Sequence, residues 1–272
     1  MSGLAGKSVI VTGSSSGIGE ATAILFARKG CNVTLCGQDS GRLQEAEEKC
    51  KQAGAAGGHT NRFIAVAGDM TDSGVRKKVV QDTQAAFGRL DVLVANHGVL
   101  MGGALPDLSE IDYDTTMDIN LKSTVFLIKE ALPYLEMTKG SIVCVSSIFS
   151  TMTGPNLLPY FLSKAATDHL VRCLAVQLGP KGIRVNAVNP SGVNTRIARF
   201  LGDSGDPDAV DKVFGPNTPL AGQASGAQEQ ADVIAFLVSE EARFITGQCL
   251  VVDGGLGLKG NPFNWLPQQG SS

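Results

Sequence analysis

The feature that most constrains the fold is a strand–turn–helix unit near the start of the chain. An apolar, β-branched run, Ser8–Val11, leads into the glycine-rich sequence TGSSSGIG at residues 12–19, and an amphipathic segment, Glu20–Lys29, follows. Such a run is typical of a strand buried on both faces of a parallel sheet. Glycines let the backbone approach a ligand, and a helix N-terminus offers free N–H groups and a positive dipole. The unit therefore predicts a pyrophosphate-binding turn, although three residues rather than one separate its first two glycines.

Strands and helices alternate along the rest of the chain. Further apolar runs of strand length are Asn32–Cys36, Phe63–Val66, Val92–Ala95, Ser141–Val145, Arg184–Val188 and Gln248–Val252. Amphipathic segments of helical length lie between them, at Arg42–Ala53, Gly74–Phe87, Ile111–Glu136, Tyr160–Leu178 and Gln228–Ser239. Because strands joined through helices form right-handed crossovers, this alternation predicts a single α/β domain, a doubly wound parallel sheet of seven strands with helices on both faces.

Length, charge and cysteine usage limit the functions to consider. The 272 residues fit one large α/β domain, and a net charge of −3 gives no basic field for nucleic acid or an anionic membrane. No signal-peptide pattern and no run near ~18 apolar residues is present, so we expect no membrane span and a cytoplasmic protein. The six cysteines are scattered and the three histidines lack ligand spacing, which predicts free thiols and no metal site.

One tyrosine has a distinctive neighbour. Of the three tyrosines, only Tyr160 is followed four residues later by a lysine, Lys164, and on a helix this spacing places both side chains on one face. A nearby ammonium stabilises a phenolate, and lowering the phenol pKa by about three units takes roughly 4 kcal/mol. Taken alone, the pair has the simpler interpretation of a chance contact on a helix surface. Because the same chain carries a pyrophosphate-binding turn, the pair instead predicts a general acid/base whose pKa the lysine lowers.

A series of motifs occurs in the order typical of one protein family. The motifs are TGSSSGIG at 12–19, GD at 68–69, ANHG at 95–98, Asn120, Ser147 thirteen residues before Tyr160, YFLSK at 160–164, NPSGVNT at 189–195 and a closing strand at 246–255. Over nearly its whole length the chain thereby resembles the short-chain dehydrogenase/reductases, which have a single Rossmann-type domain. It departs from their pattern at Ala95 and His97, where Asn and Ala are usual, and at Ser191, where Gly is usual.

The resemblance implies hydride transfer between NAD(P) and a carbonyl or secondary alcohol carbon. Tyr160 would be the general acid/base, Ser147 would hydrogen-bond the reacting oxygen, and Lys164 would lower the pKa of Tyr160 and hold the nicotinamide ribose. Asn120 resembles the residue that keeps a helix bend and a water relay to the lysine. The implied cofactor-binding residues are Gly13, Ser15, Ser16, Gly17, Ile18, Gly19, Gln38, Asp69, Met70, Asn96, Gly98, Tyr160, Lys164, Pro190, Val193 and Thr195.

The choice between the two nicotinamide cofactors rests on the end of the second strand. NAD-dependent members of the family carry an acid there, and this chain has Gly37 followed by Gln38. Arg42 and the hydroxyls of Ser14–Ser16 are candidates for a 2′-phosphate, or are ordinary loop and helix residues. Asp39 lies about twenty residues after the turn, where the general rule seeks a ribose-binding acid, yet it falls past the strand tip. We therefore favour NADP(H) over NAD(H).

The segment between the catalytic serine and tyrosine predicts an apolar substrate pocket. Residues 148–159 carry no charge, and together with Leu100, Met101 and Phe161 they predict an apolar pocket. Phe149 and Leu157, with Ser147 and Tyr160, are our candidate substrate contacts. Part of this segment has the alternative role of covering the sheet edge. His97 is expected to fill space or bond backbone near the cofactor rather than to titrate in catalysis.

Three expectations concern the rest of the molecule. Residues of about 196–227, rich in Gly, Pro, Asp and Ser, suggest a substrate lid within a domain of residues 1–256, or a plain surface insertion. The tail, residues 257–272, contains aromatic side chains and is expected to pack on the body or on a neighbouring subunit. The family resemblance also implies a homo-oligomer, a tetramer or dimer, formed through the fourth and fifth predicted helices.

Two other classes of function fit the sequence less well. A catalytically silent dinucleotide-binding regulator or scaffold would be expected to have lost at least one of Asn120, Ser147, Tyr160 and Lys164, and all four are present. Epimerases and dehydratases of nucleotide sugars resemble longer chains with a separate C-terminal substrate domain, and only about eighty residues follow Thr195 here. We therefore expect a carbonyl or alcohol oxidoreductase.

Overall fold

Seven parallel strands form one sheet in the order β3-β2-β1-β4-β5-β6-β7, which confirms the predicted doubly wound, Rossmann-type fold. The computed structural model describes residues 3–193, 195, 208–220 and 222–260. Its strands are β1 (Ser8–Thr12), β2 (Asn32–Gly37), β3 (Phe63–Ala67), β4 (Val92–Ala95), β5 (Ser141–Val145), β6 (Arg184–Pro190) and β7 (Cys249–Val252). β1 pairs with β2 and β4, so the winding direction reverses beside β1. Sheets of this kind bind ligands in the crevice at the carboxyl ends of the strands at such a reversal.

Helices cover both faces of the sheet. In the described part of the chain they are α1 (Gly17–Arg28), α2 (Ser40–Ala56), α3 (Ser73–Phe87), α4 (Glu110–Met117), α5 (Ser123–Thr138), α6 (Leu158–Leu178), α7 (Ala209–Phe214) and α8 (Ala227–Val238). Side chains of β1 alternate between the faces: Val9 and Val11 pack in one cluster with Phe26 of α1, while Ile10 packs in another with Leu127 of α5. All five are fully buried, so each face has its own apolar core.

The predicted helix Ile111–Glu136 is in fact interrupted by a π-helical turn, Asp118–Lys122, between α4 and α5. A π turn accommodates one extra residue and shifts the backbone hydrogen bonds, so carbonyl groups need other partners. Ser123 supplies one, because its Oγ donates to Ile119 O at 2.6 Å. The turn contains Asn120, which is thereby displaced from regular helical geometry. Apolar periodicity predicted the helical segment but not this insertion.

The predicted lid and tail are described only in part. Residues 196–207 and 261–272 lie outside the described residues, as do 194 and 221. Within the lid, Phe214 of α7 is buried and its ring packs against Gly192, where a Cβ would collide with it. Immediately before the tail, Leu256 is fully buried. Among the helices of the described ranges, none is long and apolar enough to cross a membrane.

Candidate active site

The glycine-rich turn between β1 and α1 has no room for side chains at its glycines. Gly13 and Gly17 have φ values of +63° and +60°, in the left-handed region that favours glycine. At Gly19 a Cβ would collide with the carbonyl oxygen of Gly13 and lie 2.5 Å from Asn96 Nδ2. Ser16, the residue before α1, makes no side-chain cap, so it leaves the first N–H groups of the helix available. This close-packed backbone cradle fits a pyrophosphate group.

Asn96 fastens the turn to β4. Its Nδ2 donates to Thr12 O at 2.8 Å and to Gly13 O at 3.3 Å, and its backbone N–H donates to Thr12 Oγ1 at 2.9 Å.

The hydroxyl of Ser14 is not available to bind a phosphate, contrary to one of the alternatives that the sequence left open. Its buried Oγ accepts from Cys36 N at 2.8 Å and donates to Cys36 O at 3.3 Å, so it holds β1 to β2.

Polar side chains beyond β2 and β3 form the far end of the cleft. Gln38 Nε2 donates to Asp69 Oδ2 at 2.9 Å, and Asp69 Oδ1 accepts from the backbone N–H and the hydroxyl of Thr71, each at 2.8 Å. Asp39 caps α2 by accepting from Arg42 N, which lowers the pKa of its carboxyl, and it pairs with Arg42 Nη1 at 2.7 Å. The positive charge of Arg42 is therefore partly compensated before any ligand binds.

Three of the four catalytic candidates meet on the opposite wall of the same cleft, and the fourth, Asn120, lies behind it. Ser147 follows β5, and Tyr160 and Lys164 lie one turn apart on α6, with exposed fractions of 5%, 6% and 4%. Lys164 Nζ donates to Val145 O at 2.9 Å and lies 5.5 Å from the centre of the Tyr160 ring. The spacing of the two side chains on one helix face is thus as the sequence predicted.

Burial, not the lysine, dominates the acidity of Tyr160. Removal from water raises the pKa of Tyr160 to about 12, and the hydrogen bond from Ser147 opposes this only in part. Burial also lowers the pKa of Lys164 to about 8. The expected lowering of the phenol pKa is therefore not observed, because the effect of burial on Tyr160 exceeds that of its polar neighbours. Tyr160 holds its proton at neutral pH.

Asn120 contacts the loop after β4 from its π-helical turn. Its Oδ1 accepts from Val99 N at 2.8 Å, and its Nδ2 donates to Val99 O at 2.9 Å and to Ser163 Oγ at 3.0 Å. Ser163 Oγ in turn donates to Tyr160 O at 2.8 Å. The side chain of Asn120 therefore joins the cleft wall formed by Val99 to the helix that carries the phenol.

The cleft that unites these groups has a volume of about 720 Å³. Most of the predicted site residues line it: Gly13, Ser15, Ser16, Gly17, Ile18, Gln38, Asp69, Met70, Asn96, Gly98, Ser147, Tyr160, Lys164, Pro190, Val193 and Thr195. Gly19 and Asn120 support the lining residues from behind. Phe149 and Leu157 do not line the cleft, because they are buried in an apolar cluster with Phe161 and Phe214.

Several lining residues were not predicted as site residues. The apolar ones beside Ser147 and Tyr160 are Val99, Ile119 and Val145, and the polar ones include His97 and Ser191. Leu100 and Met101, which were predicted for the apolar pocket, also line the cleft. Two sequence signals were available for them: Ile119 adjoins Asn120, and His97 and Ser191 are departures from family motifs. Hydrophobic character alone does not distinguish a wall residue such as Leu100 from a core residue such as Phe149.

Comparisons with known proteins agree with this geometry. The family profile described as "Enoyl-(Acyl carrier protein) reductase" matches residues 13–257. The "(-)-isopiperitenol/(-)-carveol dehydrogenase, mitochondrial" of Mentha piperita is 37% identical, over 93% of this chain and 94% of its own. A "Short-Chain Dehydrogenase/Reductase of unknown Function" from Caenorhabditis elegans, solved with cofactor, has a TM-score of 0.85 and 33% identity, covering 94% of this chain and 96% of that one. The 3-ketoacyl-(acyl-carrier-protein) reductase of Brucella melitensis, complexed with NADH, has a TM-score of 0.83 and 26% identity, covering 93% and 99%.

The sequence matches span both the glycine-rich turn and the segment of Ser147, Tyr160 and Lys164. The relatives are covered almost end to end, so the likeness is not confined to one ligand-binding unit. The chain belongs to the short-chain dehydrogenase/reductase family.

Proposed function

We propose that the protein is an oxidoreductase that transfers a hydride between NAD(P) and the carbon of a carbonyl or secondary alcohol group. The observation that carries this proposal is the meeting of Ser147, Tyr160 and Lys164 in the cleft that also contains the glycine-rich turn. Bound in that cleft, the nicotinamide would supply or accept the hydride. Two of the relatives described above are named as a dehydrogenase and a reductase, which supports this class of reaction.

In the reductive direction Tyr160 is the proton donor. Its phenol, with a pKa of about 12, keeps its proton at neutral pH and offers it to the oxygen of a carbonyl substrate. Ser147 Oγ stabilises the same oxygen by a hydrogen bond as negative charge develops. Lys164, with a pKa of about 8, is mostly protonated at pH 7 and places a positive charge beside the ring, which favours loss of the phenol proton as the reaction proceeds.

For the cofactor, we propose that the glycine-rich turn holds the pyrophosphate, Asp69 and Met70 the adenine, and Lys164 the nicotinamide ribose. NADP(H) is favoured because Gly37 leaves no carboxylate at the tip of β2 to repel a 2′-phosphate. A side chain at Gly37 would also crowd Ser15, whose Oγ would lie 3.1 Å from its Cβ. Calorimetric titration with NADPH and NADH tests this choice, and a preference for NADH of about tenfold would contradict it.

We propose an uncharged, largely apolar substrate. Leu100, Met101 and Ile119 supply the apolar wall beside the catalytic groups. Phe149 acts from behind that wall, since its ring packs edge-on against Tyr160 with centroids 6.4 Å apart. The relative from Mentha piperita, named for two alcohols, supports an alcohol or ketone of this character.

Further proposals concern the lid, the tail and self-association. We propose that residues of about 196–227 cover the substrate and that residues 257–272 pack on the body or a neighbouring subunit.

We also propose a homo-oligomer formed through α5 and α6, which is supported by the exposed side chains of Phe126, Leu162 and Val176 on these helices. Light scattering coupled to size exclusion tests the last proposal, and a monomer at assay concentration would contradict it. A cytoplasmic location stays a prediction.

A panel of ketones, aldehydes and secondary alcohols, assayed with NADPH, NADH and their oxidised forms, tests the proposed function. We expect at least one carbonyl to oxidise the reduced cofactor, followed as loss of its absorbance. Binding of cofactor without turnover of any panel member would instead favour the alternative, a catalytically silent dinucleotide-binding regulator.

A further inference from the structure

The ring of His97 bridges two parts of the site. His97 lies after β4, where the family usually has a small residue, and it lines the cleft. Its Nδ1 is 2.7 Å from the hydroxyl of Thr12, the last residue of β1. Its Nε2 is 2.6 Å from the hydroxyl of Ser123, the first residue of α5 after the π-helical turn. The imidazole therefore makes two side-chain bonds rather than the backbone bond that we expected.

The neighbouring hydrogen bonds assign the protons of this bridge. Ser123 Oγ donates its single proton to Ile119 O at 2.6 Å, so its bond to His97 requires a proton on Nε2. Nδ1 is then an acceptor and receives the Thr12 hydroxyl proton at 2.7 Å, in preference to the 3.3 Å bond from that hydroxyl to a β4 carbonyl. The lone pairs of Thr12 Oγ1 accept the N–H groups of Asn96 and His97, at 2.9 and 3.2 Å.

Electrostatics agree with a neutral ring. Burial lowers the pKa of His97 to about 4, and the positive charge of Lys164 acts in the same direction. An imidazolium would also place a second N–H against Thr12 Oγ1, whose lone pairs are already used. His97 is therefore a fixed Nε2–H tautomer that both accepts and donates.

The two ends of the bridge control different parts of the reaction site. At one end, Thr12 O accepts from Asn96 Nδ2, the bond that fastens the glycine-rich turn. At the other end, Ser123 holds the carbonyl of Ile119 in the π-helical turn, and Ile119 lines the apolar wall. The next residue, Asn120, bonds both polar groups of the Val99 backbone.

We propose that His97 is a positioning residue for hydride transfer, and that its neutral imidazole fixes the π-helical turn carrying Ile119 and Asn120 relative to the cofactor turn at the end of β1. This role rests on the proposed function of the site. It includes no proton transfer, because both ring nitrogens are occupied by fixed partners. A small side chain at position 97 would leave Thr12 and Ser123 unlinked.

Kinetics of His97→Ala, Ser123→Ala and the double variant test the proposal, with a carbonyl that the panel shows to be active. We expect each single variant to lower kcat by about 10- to 100-fold, since small displacements of positioning groups cost this much, while the Kd for NADPH stays near that of the wild type. The double variant should be no worse than the more damaging single one, because each single variant already breaks the link between His97 and Ser123. His59→Ala, at a half-buried position after α2 that does not line the cleft, is the matched control and should leave kcat unchanged.

Two polar substitutions separate the ends of the bridge. The amide N–H of His97→Gln can reach Ser123 and donate to it, so part of kcat should return. The shorter amide of His97→Asn reaches only Thr12, so kcat should not recover. Unchanged kcat in His97→Ala would overturn the proposal. So would a loss confined to thermal stability or NADPH affinity, because His97 would then only fill space.

Imidazole ¹⁵N NMR provides a readout that does not depend on turnover. We expect the signals of His97, assigned by their loss in His97→Ala, to report a neutral Nε2–H ring from about pH 5 to 8. An Nδ1–H ring or a titrating imidazolium would overturn the bridge. If the wild type instead showed this ring but turned over no carbonyl, the proposed function would fail, and the positioning role with it, while the bridge itself would stand.

Discussion

Replacing Lys164 by Met should stabilise the folded protein while abolishing turnover. Lys164 is 4% exposed, and burial lowers its pKa from 10.5 to about 8. At pH 7 Lys164 is charged in both states, and its charge costs about 3 kcal/mol more in the folded state than in the unfolded state. Met has a similar volume and no charge, but it gives up the hydrogen bond from Nζ to Val145 O, worth about 1 kcal/mol. We therefore expect the free energy of unfolding to rise by about 2 kcal/mol.

The pH dependence of this gain provides the sharper test. Because the folded-state pKa of Lys164 is depressed, the unfolded state binds more protons between pH 8 and 10.5, and the wild type becomes more stable as pH rises through this window. The advantage of Lys164→Met should therefore shrink by about 2 kcal/mol between about pH 7 and 10. Urea unfolding of both proteins, with reductant and without added cofactor, measures it. Lys164 lowers the pKa of the Cys144 thiol, but burial raises that pKa to about 12, so this thiol stays protonated through the window in both folded proteins.

Lys78→Met is the matched control. Lys78 is 61% exposed and pairs with Asp82 on the surface, so its replacement should change the free energy of unfolding by no more than about 0.5 kcal/mol at either pH. The reasoning would be refuted if Lys164→Met were less stable than the wild type at pH 7 by an amount that did not vary with pH. That result would mean that the ammonium is not desolvated in the folded protein.

Changes at the turn, at the phenol and in the apolar wall have distinct expected results. Gly19→Ala should weaken NADPH binding, measured by calorimetry, by more than about tenfold because the added methyl would collide with the turn. Gly41→Ala should leave the affinity unchanged, because its Cβ would lie 3.5 Å from the nearest atom, Asp39 Oδ1. In a spectrophotometric titration, the wild type and Tyr160→Phe should show the same phenolate absorbance up to about pH 10, since burial raises the pKa of Tyr160 to about 12. A phenolate signal near pH 7 that is present in the wild type and absent from the variant would contradict this. Phe149→Ala should lower the free energy of unfolding by about 3–5 kcal/mol with little effect on the substrate KM, because Phe149 lies in the buried cluster. Leu100→Ala should raise KM with little loss of stability, because Leu100 lines the cleft. The reverse pattern would mean that the cleft boundary is wrong.

The sequence predicted the fold well because its signals are local. The strands β1 and β5 are short apolar runs, and the bounds of these two strands differ from the predicted ones by at most one residue. The glycine-rich turn was equally visible, since its glycines are required by backbone geometry and by the close approach at Gly19. Alternation of strand and helix then leaves few topologies for a parallel sheet.

Features that depend on three-dimensional surroundings were not predictable. The spacing of Tyr160 and Lys164 gave their common face, but the direction of the phenol pKa shift depends on burial, to which elements distant in sequence contribute. Phe149 was predicted to contact substrate, yet the tertiary packing buries its ring in an apolar cluster outside the cleft lining. The π-helical turn leaves no mark in apolar periodicity, so the roles of Ile119 and Ser123 appeared only with the structure.

The turnover and cofactor affinity of Tyr160→Phe test the central claim most directly. The substitution removes one hydroxyl from a side chain that packs within an apolar cluster, so the cleft should keep its shape. Our account predicts a fall in kcat of about 10²- to 10⁴-fold, the loss of a general acid, with a Kd for NADPH within about threefold of the wild type. Near-normal turnover by Tyr160→Phe with cofactor bound would contradict it.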